Sequence, residues 1–100
     1  MSAQASRDEI SDLLARCVLR DQAAFRDLYD RTSAKLFGVL LRILKDRAEA
    51  EEAIQEVYVK IWYRADRFVA GQASPISWLV AVARNHALDI LRTRRPAAAD

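Results

Sequence analysis

Apolar residues recur every three or four positions through most of the chain, and this spacing constrains the fold more than any other feature. The clearest run extends from Phe25 to Leu44, where the apolar side chains would share one face of an α-helix. Glycine and proline, which interrupt helices, number only two each among 100 residues. No stretch alternates apolar and polar residues between turn signals, so a β fold is poorly supported. The sequence predicts an all-α fold, a compact bundle of about four helices.

The first two helices are bounded by capping residues. Ser6 and Glu9 have the form of a capping box, which predicts that the first helix begins at Ser6. Asp21 is the predicted cap of the second. The expected buried positions are Ile10, Leu13, Leu14, Cys17 and Val18 on the first helix, and Phe25, Leu28, Tyr29, Thr32, Leu36, Phe37, Leu40, Leu41 and Leu44 on the second.

Two features of these helices leave alternatives. Thr32, Ser33 and Gly38 lower helix propensity, so the second segment is one long helix, a bent helix or two joined helices. Cys17 lies on an apolar stripe, and we interpret it as a plain buried thiol rather than a redox centre.

The third helix combines an acidic half with a bulky apolar half. Asp46 and Glu49 provide a second capping signal, and acidic residues in a first turn also suit the helix dipole. The expected inward stripe is Ala50, Ala53, Ile54, Val57, Ile61 and Ala65. The residues that then point elsewhere are Glu52, Gln55, Glu56, Val59 and Tyr63.

The fourth helix follows a predicted loop over residues 68–74. Ser74 is its expected N-cap and Pro75 its first helical residue. The inward stripe is Ile76, Leu79, Val80, Ala83, Ala87, Ile90 and Leu91, and a second face carries Trp78, Val82, Asn85, Asp89 and Arg92. Such a face suits single-stranded nucleic acid, because aromatic rings stack on bases and arginines bind phosphates. Taken singly, a tryptophan at such a position is more often a core residue, and an asparagine on a helix is usually just solvated, so these alternatives stay open for Trp78 and Asn85.

Charge is divided between two parts of the chain, although the net charge is only +2. Residues 46–56 hold five acidic residues against one arginine, whereas residues 84–95 hold four arginines against one acidic residue. This division predicts two surfaces with different partners.

Several function classes find no support in the sequence. A single cysteine, Cys17, and a single histidine, His86, cannot build a zinc site or a disulfide framework. Because there is no paired nucleophile and base and no glycine-rich phosphate loop, we expect no catalytic residue, metal or cofactor. The N-terminus has no signal-peptide pattern, and no 18-residue apolar segment occurs, so we expect a cytoplasmic chain without membrane insertion.

Three stretches carry a family resemblance: "AAFRDLYDRTSAKLFGVLLRIL", "DRAEAEEAIQEVYVKIW" and "SWLVAVARNHALDILRTRR". In this order and spacing they resemble the second conserved region of bacterial RNA polymerase sigma factors, most closely those of the extracytoplasmic-function group. The resemblance covers about residues 20–95. It implies a region-two domain over residues 1–95, with residues 96–100 as the start of a linker to a −35-binding domain that this chain lacks.

The resemblance implies two protein partners. The acidic third helix would bind the clamp helices of the polymerase β′ subunit, through Glu52, Gln55, Glu56 and Val59. Its carboxylates would also repel the DNA backbone, which keeps this face free of promoter. An anti-sigma factor is expected as a second partner. Trp62 matches a common family aromatic residue, which we interpret as part of the core.

The resemblance also implies a DNA surface. The loop and the outward face of the fourth helix would hold the non-template strand of the promoter −10 element, with one base flipped into the loop. The residues so assigned are Phe68, Val69, Ala70, Gly71, Gln72, Ala73, Ser74, Pro75, Trp78, Arg84, Asn85, Asp89, Arg92 and Arg95. Asp89 could hold Arg92 or Arg84 in place, and Arg94 is a further candidate for phosphate binding.

Two departures from the family pattern affect these expectations. Lys45 stands where many relatives have a glycine that ends the preceding helix, which leaves the geometry of that turn open. The loop sequence "VAGQAS" is less acidic and polar than many family loops, so the captured base is not inferred.

Two rival functions follow from the same residues. A helix-turn-helix protein that binds duplex DNA is one, but the segment before Ser74 lacks the short helix and tight glycine turn of that motif. A helical module that binds only protein, such as a sigma mimic that occupies an anti-sigma factor, is the other. It would keep the acidic face and lose affinity for nucleic acid.

Overall fold

Four α-helices and one 3-10 turn form the computed structural model, which describes residues 3–68 and 72–94, with side chains from residue 9 onward. The helices are α1 (Ala3–Val18), α2 (Gln22–Leu44), α3 (Arg47–Arg64) and α4 (Pro75–Thr93), and the 3-10 turn is Ala65–Arg67. Every helix contacts the other three, and the contacts of α2 are the most extensive. The prediction of an all-α bundle of about four helices is confirmed.

α1 differs from the sequence prediction at both ends. The helix begins at Ala3, so Ser6 lies inside it and is not its cap. Alanine and glutamine have high helix propensity, which explains why Ala3, Gln4 and Ala5 extend the helix. Val18 is 41% exposed because it is the last residue of the helix and faces outward at the turn.

The rest of the α1 stripe is buried as expected, and it comprises Ile10, Leu13, Leu14 and Cys17. Burial is the main reason why the pKa of the Cys17 thiol is raised above its ordinary value. A neutral, buried thiol agrees with a packing role for this residue.

α2 is a single continuous helix, which resolves the alternatives left by its sequence. The Asp21 side chain accepts a hydrogen bond from the Ala24 backbone N–H at 3.1 Å, as expected of an N-cap. Its buried residues recur every fourth position: Ala24, Leu28, Thr32, Leu36, Leu40 and Leu44. Tyr29, expected on the buried stripe, is instead 39% exposed, because only one side of its ring packs on the bundle, against Tyr58.

The turns at the two ends of α2 contain residues in the left-handed conformation. Lys45 has φ 58° and closes the helix, with its backbone N–H donating to the Leu41 carbonyl at 2.8 Å. Arg20, between α1 and α2, has φ 64°. Glycine is the usual residue at such a helix end, and Lys45 here takes the conformation that a glycine would.

α3 contains one core residue that its sequence did not predict. The cap is as expected, because the Asp46 side chain accepts from the Glu49 backbone N–H at 2.9 Å. The predicted stripe is buried, from Ala50 to Ala65, but Tyr58 is buried with it and only 4% exposed. Its hydroxyl lies 2.5 Å from Thr32 Oγ1 on α2, which satisfies the polar group inside the core.

α4 begins as predicted and packs through small residues. The Ser74 side chain accepts from the Ser77 backbone N–H at 3.0 Å, and Pro75 is the first helical residue. Leu79, Ala83 and Ala87 are buried, and the two alanines allow α4 to approach the bundle closely. The outer parts of its predicted stripe are half-buried: Ile76, Val80, Ile90 and Leu91.

Candidate functional site

The four residues assigned to a protein partner form one exposed stripe on α3. Glu52, Gln55, Glu56 and Val59 follow each other at spacings of three, one and three residues, and all four are exposed. Val59 is 55% exposed, which is unusual for a branched apolar side chain on a helix that also supplies the core. The stripe therefore places an apolar residue beside carboxylates and an amide.

The acidic residues of α3 differ in how they are paired. Glu51 contacts Arg47 one turn earlier at 3.2 Å, and Glu49 pairs with Arg94 at the end of α4. Glu56 contacts His86 on α4 at 2.8 Å. To other residues of the described part, the side chains of Glu52 and Gln55 make no hydrogen bond or ion pair. These two groups are therefore free to meet a partner.

An open groove of about 620 Å³ continues the stripe toward the C-terminal end of α3. Val59, Trp62 and Tyr63 line one side, and α2 supplies the other side with Gln22, Phe25, Arg26 and Tyr29. Tyr63 is 67% exposed. We call this the aromatic groove. Its α2 residues were not assigned to any site from the sequence. The apolar spacing indicated core positions for Phe25 and Tyr29, and Gln22 and Arg26 were given no role.

Trp62 belongs to the core and to the aromatic groove at once. Its ring meets Phe25 edge-on with centroids 5.0 Å apart, and it is half-buried. The Arg20 guanidinium lies 5.0 Å from the centroid of the Trp62 ring and donates to the Trp62 carbonyl at 2.6 Å. Trp62 therefore packs against the core, as interpreted from the sequence, and also lines the aromatic groove.

The loop assigned to DNA is described in part. Phe68 and Trp78 flank it, both half-buried, with their ring centroids 6.0 Å apart and their planes tilted by 57°. Gln72 and Ala73 are exposed, whereas Pro75 is buried. Val69, Ala70, Gly71 and Arg95 lie outside the described residues.

The outward face of α4 is polar and exposed beyond its first two turns. Arg84, Asn85, Asp89 and Arg92 are all exposed, whereas Trp78 and Val82 are half-buried against the core. Asp89 contacts Arg92 at 3.2 Å, which is one of the two pairings expected from the sequence. The side chains of Arg84 and Asn85 contact no other polar group within the described residues.

Arg94, a further candidate for phosphate binding, has a partner inside the bundle. Its guanidinium pairs with Glu49 and ties the end of α4 to the start of α3. The side chain of Arg94 is still 45% exposed, so its contact with a phosphate stays a prediction.

The described part of the chain shows no candidate metal site and no candidate membrane-spanning helix. Residues 3–68 and 72–94 contain no group of three or more histidine, cysteine, aspartate or glutamate side chains that could hold a metal ion. No helix in these ranges is both long and apolar enough to cross a bilayer.

The family model for Sigma-70 region 2 matches residues 28–97, which include all of α3 and α4 and most of α2. The chain belongs to the sigma-70 region 2 family. The resemblance drawn from the sequence is confirmed, and so is the sigma region-two fold that it implied.

Curated relatives of this region 2 domain are ECF RNA polymerase sigma factors named SigK. The protein of Mycobacterium bovis (strain BCG / Pasteur 1173P2) is 36% identical over 84 residues, which cover 84% of this chain and 45% of the relative. That of Mycolicibacterium vanbaalenii is 35% identical over 89 residues, or 89% and 45% of the two chains. That of Mycobacterium ulcerans is 32% identical over 88 residues, or 88% and 47%. The chain thus spans a little under half the length of these relatives.

Proposed function

We propose that this region 2 domain serves transcription initiation by binding two partners on two helices, and that it is not an enzyme. The α3 stripe binds the β′ clamp helices of RNA polymerase, and the loop with α4 holds the non-template strand of the −10 element. The observation that carries the proposal is the exposed stripe of Glu52, Gln55, Glu56 and Val59 on a helix adjacent to a polar, arginine-bearing face.

The chemistry of the α3 stripe supports a protein partner rather than DNA. Carboxylates repel a phosphate backbone, whereas basic side chains on a partner helix would be attracted to them. Val59 supplies an apolar centre, which stable protein contacts need. Glu52 and Gln55, free of partners among the described residues, can bind without first breaking an internal contact.

The chemistry of α4 supports an unpaired strand. Asn85 can both donate and accept hydrogen bonds, as the edge of an unpaired base requires. Arg84 is exposed and can meet a phosphate. Trp78 and Phe68 provide aromatic surface at the loop, where a flipped base would be expected to stack.

Binding of a clamp-helix fragment of β′ tests the protein side. The double variant Gln55→Ala, Glu56→Arg should abolish capture of that fragment while the helical circular-dichroism signal stays unchanged. The matched control is Glu51→Arg, which reverses another exposed charge on α3 outside the stripe. Undiminished capture by the double variant, or equal loss in the control, would overturn the assignment of this face.

Binding of a short single-stranded −10 oligonucleotide tests the DNA side. Asn85→Ala should weaken binding, and Arg84→Ala should weaken it and reduce its dependence on salt. Arg64→Ala removes an exposed arginine from α3 instead and should leave affinity unchanged. Preference for duplex over single strand would favour a helix-turn-helix mode, and absence of salt-dependent strand binding would favour a purely protein-binding module.

An anti-sigma factor that covers these surfaces is a further proposed partner. It would compete with polymerase if it binds the α3 stripe. Competition between an anti-sigma fragment and the clamp-helix fragment for this domain would support that role, and simultaneous binding of both to α3 would argue against it.

A further inference from the structure

His86 joins the two proposed surfaces from inside the bundle. It lies on α4 next to the exposed Asn85, but its own side chain is only 11% exposed and points toward α3. There its Nε2 atom lies 2.8 Å from Oε1 of Glu56, a residue of the α3 stripe. The side chain of Glu56 is 56% exposed, so its second carboxylate oxygen can still meet a partner.

The surroundings of the ring determine which nitrogen carries the hydrogen. Nδ1 of His86 is buried and has no hydrogen-bond partner among residues 3–68 and 72–94. A carboxylate only accepts hydrogen bonds, so Nε2 must donate to Glu56. If the hydrogen were on Nδ1 instead, it would be a buried donor without an acceptor. The lone pair of Nε2 would then also face a lone pair of the Glu56 carboxylate. The geometry therefore selects the Nε2–H tautomer.

We propose that His86 is a positioning residue that holds the Glu56 carboxylate on the α3 stripe in the orientation that polymerase binds. The inference rests on the proposed function of that stripe. A free glutamate side chain has several rotamers, and fixing them on binding costs affinity. An internal hydrogen bond from a buried ring fixes them beforehand. Glu52 has no such partner within the described part of the chain, so its side chain becomes ordered only when it contacts the polymerase.

Two substitutions at His86 separate positioning from packing. His86→Leu fills the space between α4 and α3 with an apolar side chain and removes the donor. His86→Gln instead places an amide donor near the position of Nε2. His86→Leu should weaken binding of the clamp-helix fragment about two- to tenfold, the range expected for ordering one flexible side chain. His86→Gln should restore much of that loss.

The deciding comparison is made in the Glu56→Ala background. There, His86→Leu should have no further effect on clamp-helix affinity, because the carboxylate that it positions is absent. An equal loss in both backgrounds would mean that His86 acts through packing alone, and no loss with Glu56 present would also overturn the inference. If the wild-type chain binds the fragment and Glu56→Ala leaves the affinity unchanged, Glu56 does not contact the partner. The inference about His86 is then wrong, although the α3 stripe can still be the binding surface.

Nitrogen chemical shifts of the His86 ring give a readout that does not involve polymerase. In the wild-type chain Nδ1 should show the shift of an unprotonated nitrogen and Nε2 that of a protonated one. In Glu56→Ala the buried Nδ1 still has no partner, so the tautomer should persist, but the Nε2–H proton resonance should move because that hydrogen has lost its carboxylate acceptor. If the wild-type chain shows this tautomer but does not bind the clamp-helix fragment, the proposed function is wrong while the contact between His86 and Glu56 is supported. A mixed tautomer in the wild-type chain would contradict the contact itself.

Discussion

Tyr58 donates its phenolic hydrogen to Oγ1 of Thr32, 2.5 Å away, at the buried contact between α3 and α2. The direction follows from the second bond of Thr32, whose single hydroxyl hydrogen is donated to the Leu28 carbonyl at 2.7 Å. Both polar groups are almost fully enclosed, so this short chain of hydrogen bonds satisfies polar atoms in the centre of the bundle.

Removing either end of the Tyr58–Thr32 bond should destabilise the bundle unequally. Thr32→Val leaves the Tyr58 hydroxyl as a buried donor without an acceptor and should cost about 1–3 kcal/mol, whereas Tyr58→Phe should cost about 1 kcal/mol. The double variant should lose less than the sum, because no unpaired donor remains. Urea denaturation of the three variants checks this. Tyr63→Phe, at an exposed position, is the control, and strict additivity would contradict the shared bond.

Alkaline pH should destabilise the fold through Tyr58. Burial, the largest cause, raises the pKa of Tyr58 from 10.0 to about 12. Because the folded-state pKa is the higher one, the stabilisation is complete below pH 10 and is lost as the pH rises from about 10 to about 12. The loss is on the order of 2 kcal/mol. It should appear as the difference in unfolding free energy between wild type and Tyr58→Phe, and a difference that does not change with pH would contradict it.

Gly38 should be replaceable by alanine with a gain in stability. It is exposed in the middle of α2, and apart from the adjoining residues and backbone of its own helix, no heavy atom lies within 4 Å of the position that an added Cβ would take. Gly38→Ala should therefore raise the unfolding free energy by about 0.5–1 kcal/mol, because alanine loses less backbone entropy in a helix. Ala34→Gly, at another exposed position of the same helix, should lower it by a similar amount. Thermal denaturation of both variants checks the pair, and a loss in Gly38→Ala would show that the glycine serves a contact.

The two left-handed residues should respond in opposite ways to glycine. Lys45 and Arg20 have φ values of 58° and 64°, a conformation that costs most L-residues about 1–2 kcal/mol. Lys45→Gly should stabilise the chain by a few tenths to about 1 kcal/mol, since relief of this strain exceeds the entropy cost of glycine in the unfolded chain. Arg20→Gly should destabilise it, because the arginine also lies over Trp62 and donates to its carbonyl. Stabilisation by both changes would mean that the Arg20 contacts contribute nothing.

Local signals were sufficient to predict most of the fold. The caps at Asp21, Asp46 and Ser74 were read correctly because a polar side chain that satisfies free backbone N–H groups acts within three residues. The start of α1 was not, since the favourable propensity of the residues before Ser6 outweighed the capping pattern there.

Contacts between helices were harder to anticipate. The hydroxyl of the buried Tyr58 finds its partner in Thr32 on α2, and the periodicity of α3 alone does not indicate a partner on another helix. The same holds for the link between Glu56 and His86 and for the ion pair between Glu49 and Arg94. The aromatic groove likewise forms only when α2 and α3 lie side by side, so the periodicity of either helix alone did not indicate it.

A crossed binding experiment tests the division of labour between α3 and α4 most directly. The α3 double variant Gln55→Ala, Glu56→Arg and the α4 variant Asn85→Ala are each titrated with the β′ clamp-helix fragment and with the −10 non-template oligonucleotide. Each variant should lose affinity for one partner only. The α3 variant should bind the clamp-helix fragment more weakly, and the α4 variant should bind the oligonucleotide more weakly. If either variant loses both partners while its helical signal is intact, the two surfaces are not separate and the account is contradicted.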